Sequence, residues 1–189
     1  MFIVITGLDG SGTSTVAKEL SKIDNESVLL KTPSIEFSGR DRIDTEVRET
    51  SQLAHYLFYL SSVIYMSDKI KKSYDYKNKN VYCVRYLIDT IVSHQVAGLD
   101  VDLDYSSYGI LKPDLTILVS LDESVREQRI SERGKSTLDK LLDDSKTRNS
   151  FLERFNSLLD KERTIFFDNT DKNIESNILK LYNEILRKE

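Results

Sequence analysis

Cysteine is nearly absent from this chain of 189 residues: the only one is Cys83. A single cysteine excludes an intramolecular disulfide framework and a multi-cysteine zinc module, and it points to a reducing compartment. Histidine is scarce too. His55 and His94 stand with no metal-ligand spacing between them, so no dedicated metal cage is expected and both read as structural. An excess of one charge sign is also missing. The 27 Lys and Arg stand against 31 Asp and Glu, a formal net charge of −4, too small to drive binding to nucleic acid or to an anionic membrane. Long hydrophobic runs are lacking: Leu53 to Met66 is too short to span a bilayer and contains His55, Ser61 and Ser62. The opening MFIVITGL has no basic stretch before it and runs into Asp9 and a glycine cluster, so a signal peptide is not expected. Together these absences predict a cytoplasmic protein with no nucleic-acid or membrane partner.

What is present fits one domain over residues 1–189. The chain is 39% hydrophobic and 31% charged, and a chain of this size buries roughly 70% of its unfolded surface, enough for a core without covalent staples. Strand-length apolar runs occur at Phe2 to Thr6, Val28 to Lys31, Val81 to Val84, Leu115 to Val119 and Thr164 to Phe167. Helical patterns lie between them. Leu53, Leu57, Leu60 and Ile64 mark one face of a long helix, Val125 and Ile130 sit in a charged one, and Ile174, Ile178, Leu181 and Ile185 form a stripe near the end. Strand alternating with helix predicts an α/β fold, a parallel sheet flanked by helices, with ligands at the carboxyl ends of the strands.

Glycine is concentrated where such a site would be. Directly after the first strand comes Gly7-Leu8-Asp9-Gly10-Ser11-Gly12-Thr13-Ser14-Thr15, followed by a helix. Strand, glycine turn and helix in that order make a phosphate cradle, because backbone N–H groups can point inward and the helix N-terminus adds positive potential. Ser14 stands where a magnesium ligand is expected, and Thr13 where the pattern G-x-x-x-x-G-K-[ST] has its lysine.

Three further groups are candidates. Arg85 follows the third apolar strand, and its planar fork suits a phosphate; the rival reading pairs it with a carboxylate such as Asp89, which could itself cap the next helix. Arg126, Arg129 and Arg133 share a helix face and could neutralise phosphoryl charge, or form a solvated stripe. Phe58 and Ser62 are one turn apart on the long helix, off its leucine stripe.

With these residues in view the chain resembles the thymidylate kinases, within the P-loop nucleoside monophosphate kinases. FIVITGLDGSG, Cys83-Val84-Arg85-Tyr86 followed by Asp89-Thr90, and Leu111-Lys112-Pro113-Asp114-Leu115 with a helix ending Glu132-Arg133-Gly134 carry the resemblance. It implies a five-stranded parallel sheet, a short lid about residues 134–149, ATP with Mg2+, and a homodimer. It also implies that Asp9 meets the acceptor sugar or a magnesium-bound water, that Arg85 holds the acceptor phosphate, and that Phe58 stacks on the base. Pro33, Ser62 and Asp89 would complete the acceptor site, with Arg129 and Arg133 serving the donor. Four positions depart from the family pattern: Thr13 replaces a lysine, Val84 an aspartate, Ser62 an arginine that reads thymine, and Ser34, after Pro33, stands where an arginine or another family residue is often found. The expected activity is transfer of the γ-phosphoryl of ATP to a pyrimidine monophosphate. A nucleotide-binding relative with weakened catalysis, or a kinase for a nucleoside, are the other readings.

Overall fold

In the computed structural model, described for residues 1–134, 142–170 and 173–188 apart from the side chain of Arg133, five parallel strands form one sheet. They are β1 (Phe2–Gly7), β2 (Val28–Lys31), β3 (Val81–Val84), β4 (Leu115–Ser120) and β5 (Thr164–Asp168), in the order β2-β3-β1-β4-β5. β1 is central and buried along its whole length, which is why its sequence, FIVITG, is apolar without alternation. Phe2 pairs in register with Val81 of β3, and Gly7 with Val119 of β4.

The two faces of β1 feed two cores. Ile3 and Ile5 pack with Val16, Ala17 and Leu20 of α1 (Thr13–Ile23) and with Ile178, Leu181 and Ile185 of α6 (Ile174–Leu186). Phe2 and Val4 face the other way, onto Leu60, Val63, Met66 and Ile70 of α2 (Gln52–Ser73) and Ile91 of α3 (Leu87–Val96). Truncating a fully buried leucine such as Leu20 to alanine would cost about 2–5 kcal/mol. α4 (Glu123–Arg133) and α5 (Ser145–Leu158) complete the layers. Among the described residues no helix is long and apolar enough to cross a membrane.

One expectation needs correcting here. The leucine stripe is not the buried face of α2: Leu53 and Leu57 are 54% and 49% exposed, while His55, Ser62 and Ser67 are buried. On that face His55 bonds to α3 and to the segment before α2, Ser67 accepts from Leu111 N–H, and Ser62 donates to Tyr59 O of its own helix. Of the stretch read as a lid, residues 135–141 lie outside the described residues, and residues 145–149 already belong to α5.

Candidate active site

The loop from β1 to α1 is built around glycines at positive φ. Gly10 (φ 87°) and Gly12 (φ 93°) lie in the left-handed region that other residues adopt only with strain. A Cβ on Gly10 would come within 2.9 Å of Arg126 and Ile130, and one on Gly12 within 2.5 Å of the Asn169 amide nitrogen. Gly12 caps α1 without a side-chain hydrogen bond, and no acidic residue stands in the first turn. By contrast, Ser51 accepts from Ala54 N–H at 3.1 Å to cap α2, and Asp144 from Thr147 N–H at 2.8 Å to cap α5. The amides a side chain takes in α2 and α5 are therefore offered to an anion at α1. Ser11 Oγ is buried with no hydrogen-bond partner, and Ser14 and Thr15 are exposed on the same turn, whereas Thr13 is buried.

Asn169, the first residue past β5, clamps this loop. Its side-chain amide donates to Ser11 O at 2.9 Å, its backbone N–H to Ser120 O at 2.7 Å, and its carbonyl accepts from Arg129 at 3.2 Å. Sequence reasoning missed it. The available signal was its place at the carboxyl end of a parallel strand. Arg126 supports the loop from beneath, donating to Asp9 O at 3.2 Å while its fork holds Glu123, and it is almost wholly buried. Arg129 is half-buried, with a guanidinium nitrogen 3.3 Å from where a Gly12 Cβ would sit, so it stands beside the N-terminus of α1. The side chain of Arg133 lies outside the described residues.

Arg85 occupies the left-handed region at φ 67°, the one non-glycine among the described residues to do so. That conformation turns its fork back over the end of β1. Nη1 donates to Gly7 O at 2.5 Å and to Asp89 at 2.8 Å, and Nη2 donates to Asp9 at 2.5 Å. Asp89 also accepts from Thr6 Oγ1 at 2.7 Å and from Tyr86 N–H at 3.0 Å. Its ion-pair and helix-cap readings therefore both hold. Two carboxylates and a carbonyl thus hold the guanidinium in one orientation at the end of β1.

Arg85, Asp9 and Gly7 open onto a cavity of about 730 Å³, a size suited to a nucleotide. Pro33 and Asp89 also line it, with Tyr59 and His55 from α2, and Arg40, Asp44 and Arg48 from the segment before α2. Phe58 and Ser62 do not. The Phe58 ring meets Phe37 edge-on at 5.8 Å, and Ser62 is fully buried, its hydroxyl donating to Tyr59 O at 2.7 Å. Gln52, His55 and Tyr59 recur at helical spacing and share the cavity face; Phe58, one residue off that face, is rotated away by about 100°. The two histidines, read as structural, meet on the cavity wall with ring nitrogens 2.8 Å apart. Cys83 is buried beneath, its thiol pushed up to about 12 by desolvation, which makes it inert as a nucleophile. No group of three His, Cys, Asp or Glu forms a metal cage among the described residues.

The thymidylate kinase family model matches residues 5–178. A probable thymidylate kinase of Methanocaldococcus jannaschii is 30% identical over 195 residues, spanning 98% of this chain and 94% of that one. A thymidylate kinase of Mycoplasmoides gallisepticum is 30% identical over 173 residues, spanning 82% and 80%. A solved Candida albicans thymidylate kinase shares the fold, with a TM-score of 0.70 over 98% of this chain and 91% of that one, at 20% identity. A glycine loop at an uncapped helix, an arginine fixed beside it, and a match that runs through nearly the whole sheet lead to one conclusion: the chain belongs to the thymidylate kinase family.

Proposed function

We propose that this protein transfers the γ-phosphoryl group of ATP to thymidylate or a closely similar pyrimidine deoxynucleoside monophosphate. The observation that carries the reading is that the start of the phosphate loop, Gly7 to Asp9, lines the same cavity as Arg85, whose fork donates to Asp9, so two phosphates can meet there. Phosphoryl transfer asks for positioning and charge neutralisation rather than a covalent nucleophile, and this site supplies both. Gly7 to Thr15 would cradle the donor phosphates through backbone amides, with Arg129 beside Gly12 as the cation that the loop lacks at Thr13. The crowded glycines and the orphaned Ser11 hydroxyl fit a phosphate cradle. Ser14 would help hold a magnesium ion, which would supply neutralisation of charge on the transferred group. Arg85 would take the acceptor phosphate, Asp9 the acceptor sugar or a magnesium-bound water, and Pro33 and Asp89 the cavity wall beside them. For the base the geometry favours Tyr59 over Phe58 as the ring presented from α2.

A homodimer and a cytoplasmic setting belong to the same proposal. The exposed Leu53 and Leu57 on one side of α2 support the dimer, and the free, buried Cys83 supports a reducing compartment. A lid over residues 134–149 is proposed with them. The test is ADP release from ATP and Mg2+ with thymidylate, deoxyuridylate, deoxycytidylate or thymidine as acceptor. Turnover with a pyrimidine monophosphate and none with thymidine is expected; turnover with thymidine alone, or with none of the four, overturns the reading.

A further inference from the structure

The chain's two histidines form the middle of a buried row of hydrogen bonds along the cavity wall. His94 Nδ1 lies 2.6 Å from Thr90 O, His94 Nε2 lies 2.8 Å from His55 Nδ1, and His55 Nε2 lies 3.2 Å from Asp44 Oδ1. The same Asp44 oxygen accepts from the Tyr59 hydroxyl at 2.5 Å, and Arg40 donates to that hydroxyl at 3.4 Å. Each contact fixes a proton. A carbonyl only accepts, so His94 Nδ1 carries hydrogen and its Nε2 accepts; His55 Nδ1 must then carry hydrogen as well. A neutral His55 would turn a lone pair at Nε2 toward a carboxylate oxygen. The row closes only with one more proton between His55 and Asp44. Burial raises the Asp44 carboxyl, but hydrogen bonds from His55 and Tyr59 and the charge of Arg40 outweigh it and hold it below its usual value, so the proton belongs on the ring.

Asp44 is on the segment that joins β2 to α2, and Arg40 and Arg48 of that segment line the cavity. We propose that His55 is a positioning residue for the acceptor: as an imidazolium between His94 and Asp44 it fastens this segment to α2 and α3, and so holds Arg40 and Arg48 on the cavity wall. The inference rests on the acceptor reading above. The charged and titratable groups around the ring are Asp44, Arg40 and Arg48 from the segment, Tyr59 from α2 and His94 from α3; Tyr56 packs on the His94 ring at 5.3 Å.

Two measurements test this. With only two histidines, nitrogen NMR of the ligand-free protein resolves both rings, assigned through His55→Gln and His94→Gln. At pH 6 one ring should be the neutral Nδ1–H form and the other doubly protonated; two neutral rings overturn the proposal. In steady-state kinetics His55→Gln should raise the acceptor KM roughly tenfold while the KM for ATP and kcat move less than twofold, as expected for losing a charge-assisted hydrogen bond at a residue that positions the acceptor wall. In Asp44→Asn the amide can donate to a neutral His55, so the acceptor KM should rise less than in His55→Gln. An acceptor KM unchanged in His55→Gln overturns the proposal. The ring spectra need no turnover, so a protein that phosphorylated nothing would refute the acceptor reading while the rings still decided the relay.

Discussion

Replacing Arg85 by alanine and by glycine separates what its charge does from what its backbone conformation costs. Both variants remove the guanidinium that joins Asp9, Asp89 and Gly7 O, at 2.5, 2.8 and 2.5 Å. Asp89 keeps Thr6 and Tyr86 as donors, but Asp9 loses its charged partner. A hydrogen bond to a charged group is worth about 1.5–3 kcal/mol, and the Arg85 side chain is 22% exposed, so screening keeps the combined loss of stability near the upper end of one such bond, about 2–3 kcal/mol. The two variants then part. Alanine retains the penalty of φ 67° and glycine does not, which should leave Arg85→Gly more stable than Arg85→Ala by about 1 kcal/mol, or roughly 2–4 °C in Tm. Catalysis should not distinguish them. Acceptor kcat/KM should fall roughly tenfold to a hundredfold in both, because the missing phosphate contact is the same. Urea unfolding and acceptor kinetics on the same preparations provide the measurement. Equal stabilities would show that the left-handed conformation carries no strain, and undiminished kcat/KM in both would return Arg85 to a purely structural role.

Asn169→Leu should leave the Ser11 carbonyl buried without its donor, lowering stability by about 1–3 kcal/mol and raising the KM for ATP; a wild-type ATP KM would show that the clamp does not shape the loop. Gly12→Ala should abolish the thermal shift caused by ATP, since its Cβ would meet the Asn169 amide at 2.5 Å and its φ would be strained. His94, lowered from 6.5 to about 4 by desolvation, costs the fold nothing above pH 6.5; below that the unfolded state binds the extra proton, so stability should fall by about 3 kcal/mol between pH 6.5 and 4. Urea midpoints that stay level over that range in the wild type would refute it. Ser62→Arg, which the family pattern suggests would sharpen thymidylate recognition, should instead lower Tm sharply, because the position is fully buried and off the cavity.

The residues that could be read from the chain are those whose role is fixed by neighbours in sequence. FIVITG announces a central strand because both its faces are covered, and the glycine spacing of the loop is set within a few residues of one turn. Roles fixed by a meeting of distant segments left little trace. Asn169 and Ser11 are 158 positions apart and His55 and His94 are 39 apart, and nothing local to either pair distinguishes a clamp or a relay from ordinary polar residues. Tyr59 rather than Phe58 lines the cavity, one residue from the expected position, because helical periodicity alone does not say which face turns inward; the hydrogen bonds of His55 and Tyr59 to Asp44 do. Thr13 is the instructive case. Its identity alone says that the loop has no lysine, whereas the placing of Arg129 beside Gly12 depends on Asn169, whose carbonyl accepts from Arg129 while its side-chain amide donates to Ser11 O, so one residue sets the distance between the loop and that guanidinium.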